Sequence, residues 1–277
     1  MIPKFFFDTA DVHYIKKVWD ELGKYVPSNA ILGITTNPNA LNKIECHTLK
    51  DLEKTIPKIS ETLYDICGCG VVYVQVPNSL MLTADILRWA KYIKQFNFGG
   101  TKIGIKIPHL TYALELTPGL VKIGVEINVT GIADWATLLK AFSYKPVTYA
   151  SLIPGRMEEV GINAEEHMEY IQHLPRGDHQ AIISGSMRTI LGLKSAIKRN
   201  TIPTIGSRVF DEVLKNPQEF LSYWDHSCMS LKYGYVHSPL VTEANVKLSE
   251  SFFSQMDILG RKMYEEFTGD YSYDPIV

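Results

Sequence analysis

Apolar residues along the chain gather in short runs, separated by longer stretches in which they recur every three or four positions. The runs fall at 3–8 (PKFFFD), 30–35 (AILGIT), 70–77 (GVVYVQVP), 101–107 (TKIGIKI), 122–128 (KIGVEIN), 146–152 (PVTYASL), 179–184 (HQAIIS) and 202–206 (IPTIG), all of strand length. Helical spacing occupies 11–23, 48–66, 79–97, 109–117, 130–142, 163–173, 187–199 and 207–214. Thr48, Ser79 and Asn163 precede three of these stretches, where a side-chain oxygen can accept from the unpaired amides of a first turn. Eight strand–helix alternations predict an α/β fold, a parallel (β/α)8 TIM barrel over about residues 3–215 within one domain of 277 residues. Beyond it, at about 216–277, the pattern predicts a C-terminal helical extension: a short helix at 217–226 and a long amphipathic helix at 242–267. The second, with Val246, Phe253, Met256, Leu259, Met263 and Phe267 at helical intervals, reads either as a cover for its own barrel or as an arm that joins a homo-oligomer.

Charge narrows the partners. Twenty-eight Lys and Arg against 30 Asp and Glu give a net charge of −2, and the basic residues are spread along the chain. That distribution argues against nucleic acid and against a membrane surface. No apolar run approaches the ~20 residues of a membrane span, and a soluble, cytoplasmic protein is expected. Cys46, Cys67, Cys69 and Cys228 make no disulfide framework, and Cys67-x-Cys69 is not the C-x-x-C of zinc or redox sites. The eight histidines lack metal-ligand spacing, and glycine-rich nucleotide loops and serine elbows are missing. No metal or cofactor is therefore expected.

In such a barrel, chemistry collects where the strands end. Asp8, Asn37, Gln75, Lys106, Asn128, Thr130, Ser151 and Ser186 all fall at or just beyond those ends. Lys106 stands between Ile105 and Ile107, where desolvation disfavours an ammonium and favours a nucleophilic amine. The competing reading is a lysine on an edge strand or one reaching to water. Asp8 reads as a rim carboxylate beside capping residues Thr9 or Asp11, and Asn37 equally as a turn residue before Pro38. Arg156, Ser186 and Arg188, on the loops after strands six and seven, suit a phosphate; alternatively the arginines pair with Glu158 or Glu159. Arg208 is open between the two roles, and His109 reads as a loop histidine near the mouth.

The strings FFFDTAD, GITTNP, IKIP, EINVTGI, SLIPGR and SGSMR occur in order on successive strands. Together they resemble the transaldolase family, including its fructose-6-phosphate aldolase branch, across about residues 4–215. The resemblance implies sugar phosphates as substrates and Lys106 as the Schiff-base nucleophile toward a ketose phosphate, with Asp8 taking the proton of the C4 hydroxyl. It implies that Asn37 and Asn128 hold the three-carbon enamine, Ser151 contacts the dihydroxyacetone end, and Arg156, Ser186 and Arg188 grip the phosphate.

Three positions depart from a uniform pattern. Gln75 stands where transaldolases offer a glutamate that works with the threonine at position 130 through a water, and glutamine is the aldolase choice. Ile153 replaces the aldolase tyrosine, and Ser151 resembles the transaldolases. The expectation is a transaldolase moving a dihydroxyacetone unit between sugar phosphates. The alternatives are a lyase releasing free dihydroxyacetone and a barrel that binds phosphosugars without catalysis or is committed to an unusual anionic sugar.

Overall fold

Eight parallel strands close on themselves in chain order, each pairing with the next and the last with the first. The computed structural model describes residues 4–96, 98–224 and 238–269. The strands are β1 (Phe5–Asp8), β2 (Ile31–Thr35), β3 (Val71–Gln75), β4 (Lys102–Pro108), β5 (Glu126–Ile132), β6 (Tyr149–Leu152), β7 (Ala181–Ser184) and β8 (Ile202–Ile205). Helices α1 (Val12–Leu22), α2 (Pro38–Asn42), α3 (Leu49–Cys67), α4 (Thr83–Lys94), α5 (Thr111–Glu115) and α6 (Thr117–Ile123) serve the first half. Helices α7 (Trp135–Ser143), α8 (Pro154–Glu159), α9 (Ala164–Ile171), α10 (Ile190–Lys198) and α11 (Ser207–Val213) serve the second. A 3-10 segment (Pro217–Trp224) and the long α12 (Glu243–Gly269) follow. Cys228, His226, His237 and the end of the helix expected at 217–226 lie outside the described residues.

Local chemistry accounts for most helix starts. Asp11 accepts from the amides of His13 and Tyr14, and Thr48 with Asp51 forms a reciprocal capping box that opens α3. Asn163 accepts from the Glu166 amide. Ser79 does not cap: α4 begins four residues later at Thr83, and Ser79 instead donates its amide and hydroxyl to Asp257 of α12, both at 2.7 Å. A distant carboxylate won that serine over the local helix.

Three further expectations are corrected. The fifth strand lies at Glu126–Ile132, not at 122–128, because Gly124 in the left-handed region (φ 83°) ends α6 just before it. Thr130 is consequently an inner strand residue and not the start of a helix. The single helix expected at 109–117 is two short ones, α5 and α6. Helices α2 and α8, each with proline in its first turn directly after a strand, were not expected.

Alternation sorts the strand side chains into two layers inside the barrel. The deeper layer is apolar: Phe6, Val71, Tyr73 and Ile183 form a closed cluster with Leu32, Tyr149 and Ile202 against it. The Tyr73 ring meets Phe6 at 6.0 Å and Tyr149 at 5.9 Å, and its hydroxyl donates to Glu126 at 3.0 Å. Gly104 pairs with Tyr73 in the ladder, and a methyl group on it would come within 2.1 Å of the tyrosine ring. The glycine gives that ring its place. One step nearer the C-terminal ends, the inward residues turn polar.

Helix α12 packs on its own barrel, against α2, α3, α8 and the end of β5. Asn245 and Ser249 donate to the carbonyls of Ala133 and Gly131 at 2.6 and 2.8 Å, and Phe253 fills the space left by Gly131 (φ 77°). Phe252, Phe253, Met256, Met263 and Phe267 are buried beneath it. The helix therefore crosses the same end of the barrel as the polar layer.

Candidate active site

The register places Gln75, Lys106 and Asn128 side by side on β3, β4 and β5, one step above the aromatic layer. Lys106 is 6% exposed. A closed barrel has no edge strand, so the edge-strand reading of this lysine is removed. Burial pushes its amine below the usual lysine value, and the carboxylate of Asp8 opposes that shift without cancelling it. Asp8, at the end of β1, is partly exposed. Its Oδ1 accepts from the Thr35 hydroxyl at 3.0 Å and from the Asn37 amide at 3.3 Å, which fixes the carboxylate's orientation.

Asn37 makes two local contacts. Its Oδ1 caps α2 by accepting from the Ala40 amide at 2.9 Å, and its Nδ2 reaches Asp8. Asn128 is fully buried, and its Oδ1 accepts from the Ser151 hydroxyl at 2.7 Å. Asn128 Nδ2 and Gln75 Oε1 are buried without a partner among the described residues. Orphaned polar atoms of this kind carry a desolvation cost that a bound hydroxyl or water would relieve. Thr130 is buried opposite Pro108 on the same face of β5.

Above this layer lies a cavity of about 150 Å³ lined by Asp8, Asn37, Arg156, Ser186 and Arg188, and also by Lys43, Arg208, Phe252 and Met256. The mouth thus divides in two. Gln75, Lys106, Asn128, Thr130 and Ser151 are buried in the barrel, the other five predicted residues border the cavity, and Asp8 acts on both. Arg156 stacks on the Phe252 ring at 5.0 Å and donates from Nη1 to Gln255 at 2.9 Å, both on α12. Burial, and secondarily the charge of Arg188, lower its pKa. Arg188 donates from Nε to Glu159 at 2.7 Å, so the ion pair expected as an alternative does form while the arginine still faces the cavity.

Gly155 allows this arrangement. Any β-carbon there would stand 2.0 Å from the Ser186 carbonyl oxygen, so the glycine lets the β7 loop lie against α8. Ser186 itself adopts a left-handed conformation (φ 54°).

Four residues of this region had no assigned role from sequence. Thr35 orients Asp8 and also meets Thr204 at 3.0 Å; the polar GITT ending of its strand was the available signal. Lys43, Phe252 and Met256 had none, because only tertiary packing carries α2 and α12 to the mouth. Arg208, left open, lines the cavity. His109 does not; it packs on Phe253 at 5.4 Å. Among the described residues, no three His, Cys, Asp or Glu side chains converge to hold a metal ion, and no helix is long and apolar enough to cross a membrane.

Fold and site define a (β/α)8-barrel protein whose C-terminal mouth joins a desolvated amine, an oriented carboxylate and a cationic cavity. The chain belongs to the transaldolase/fructose-6-phosphate aldolase family, whose model matches residues 5–258. It is 30% identical over 218 residues to a protein named probable transaldolase from Streptococcus pyogenes serotype M5 (strain Manfredo), covering 77% of this chain and 91% of that one. The same values hold for the probable transaldolase of serotype M49 (strain NZ131). A crystal structure of inosine 5′-monophosphate dehydrogenase from Legionella pneumophila overlays with a TM-score of 0.40 at 10% identity, over 80% of this chain and 77% of that one. That likeness carries no functional weight.

Proposed function

We propose that this protein is a transaldolase that moves a dihydroxyacetone unit between sugar phosphates through a Schiff base on Lys106. The observation that carries the reading is the lysine itself: an amine 6% exposed in the barrel interior, with burial favouring its neutral form. In this scheme Lys106 Nζ attacks the C2 carbonyl of a ketose phosphate, and loss of water from the carbinolamine leaves an iminium. Asp8 takes the C4 hydroxyl proton, the C3–C4 bond breaks, and its electrons pass to the iminium as an enamine. The phosphorylated aldehyde departs. The enamine carbon then attacks the aldehyde of an incoming aldose, the proton returns, and hydrolysis frees the lysine. In the same scheme Asn128, braced by Ser151, and Asn37 hold the hydroxyls of the three-carbon fragment. Arg156, Ser186 and Arg188 offer the phosphate charge-assisted donors, and Thr130 with Gln75 would position a water for the remaining proton transfers.

Gln75 favours a second reading, a lyase that releases dihydroxyacetone. Its buried Oε1 has no partner among the described residues, and an amide can hold a water without relaying a proton as a carboxylate does. Product analysis with fructose 6-phosphate, with and without an aldose phosphate acceptor, separates the two. Transfer requires the acceptor; dihydroxyacetone accumulating rapidly without one identifies the lyase.

A further inference from the structure

Glu159, the last residue of α8, lies three positions beyond Arg156, so both project from one side of the helix. It accepts from Arg188 at 2.7 Å, and the charges of Arg156 and Arg208 also act on its carboxylate. Its side chain is 53% exposed, which leaves it in contact with solvent ions. Three guanidinium groups, from α8, the β7 loop and α11, line one cavity, and Glu159 pairs directly with one of them. Arg208 sits in the first turn of α11, the end of a helix where a cation gains nothing from the backbone dipoles. Helix stability does not account for its position. Lys43, Arg156, Arg188 and Arg208 against Asp8 and Glu159 leave a surplus of two positive charges at the cavity, which matches a phosphomonoester dianion.

We propose that Arg208 is the third arginine of the anion grip and that Glu159 is its specificity-determining counter-charge, trimming the cluster to a single dianionic phosphate and disfavouring more highly charged groups. This inference rests on the sugar-phosphate reading above, which supplies the ligand class. Glu159 acts through its charge, opposing that of the arginines, and touches no reacting atom.

The test is calorimetric titration of the full chain at low ionic strength with inorganic phosphate and with pyrophosphate. Glu159→Gln tightens phosphate by about two- to fivefold, the span expected from removing one exposed ion-pair partner, and tightens pyrophosphate by a larger factor. Arg208→Gln weakens both by roughly tenfold, as loss of a charge-assisted contact does. In steady-state kinetics the Glu159→Gln change falls on KM for phosphorylated substrates and not on kcat. Weaker phosphate binding by Glu159→Gln would show the carboxylate to be a brace for Arg188 and overturn the proposal. So would equal tightening of the two anions, or unaltered binding by Arg208→Gln. Anion binding is read without turnover, so its outcome is distinct from that of ketose trapping on Lys106, which judges the underlying reading.

Discussion

Replacing Gly155 with alanine isolates the alignment of the two segments proposed to grip phosphate from the chemistry below them. The added β-carbon would lie 2.0 Å from the Ser186 carbonyl oxygen and 3.0 Å from its carbon. Reaching even a tight 3.0 Å contact requires the β7 loop and α8 to part by about 1 Å, since a backbone carbonyl cannot rotate away as a side chain does. Helix propensity favours alanine by up to about 1 kcal/mol, and the steric strain costs roughly 1–3 kcal/mol, so the melting temperature falls by at most several degrees. The functional effect is larger. A shift of about 1 Å between Arg156 and the Ser186–Arg188 loop raises KM for phosphorylated donors by roughly 10- to 100-fold. Borohydride trapping with unphosphorylated dihydroxyacetone proceeds as in the parent, because Lys106 stands on a different strand. Gly192→Ala serves as the control: its nearest neighbour would be the Thr189 hydroxyl at 3.6 Å, and it should bind substrates normally. A Gly155→Ala enzyme with parental KM for a ketose phosphate would refute this account of how the phosphate site is assembled.

Further outcomes follow from the same geometry. Gly104→Ala drives a methyl group to 2.1 Å from the Tyr73 ring, which is boxed in by Phe6 and Tyr149; it should destabilise the fold by roughly 1–3 kcal/mol or more in denaturant titration, and a parental midpoint would contradict the packing described. Burial lowers the Lys106 pKa from 10.5, so the unfolded chain binds the extra proton between the folded and unfolded values and this lysine's contribution to stability rises with pH across that window. Lys106→Met should thus melt above the parent at neutral pH, with the gap closing toward pH 10.5, whereas a gap that widens with pH would reverse the sign of the argument. The catalytic pH profile should rise along a limb lying below the usual lysine range. Asp257→Ala removes both bonds from α12 to Ser79, at a cost of about 1–3 kcal/mol; limited proteolysis should cut near α12 faster than in the parent, and equal rates would mean that other contacts hold the helix.

Much of the barrel was legible because parallel strands covered on both faces read as apolar runs and the helices between them read at period 3.6. The misplaced fifth strand shows the limit: VKIGVEIN alternates like a strand throughout, and the boundary depends on Gly124 adopting a left-handed conformation. Lys106 and Asn128 were visible because a polar group inside an apolar run is conspicuous. The ladder that sets Gln75 and Asn128 on either side of Lys106 depends on register between strands, which no single run reveals. The places of Lys43, Phe252 and Met256 at the cavity were invisible for a different reason. Their segments, α2 and α12, have ordinary local patterns, and only docking on the barrel brings them to the cavity.

The central claim concerns the amine of Lys106, and chemical trapping tests it most directly. Incubation with fructose 6-phosphate and sodium borohydride, followed by peptide mass spectrometry, should find a reduced dihydroxyacetone or hexose adduct on the peptide containing Lys106, with none in Lys106→Met. An adduct confined to another lysine, no adduct with any ketose phosphate, or turnover surviving in Lys106→Met would contradict it.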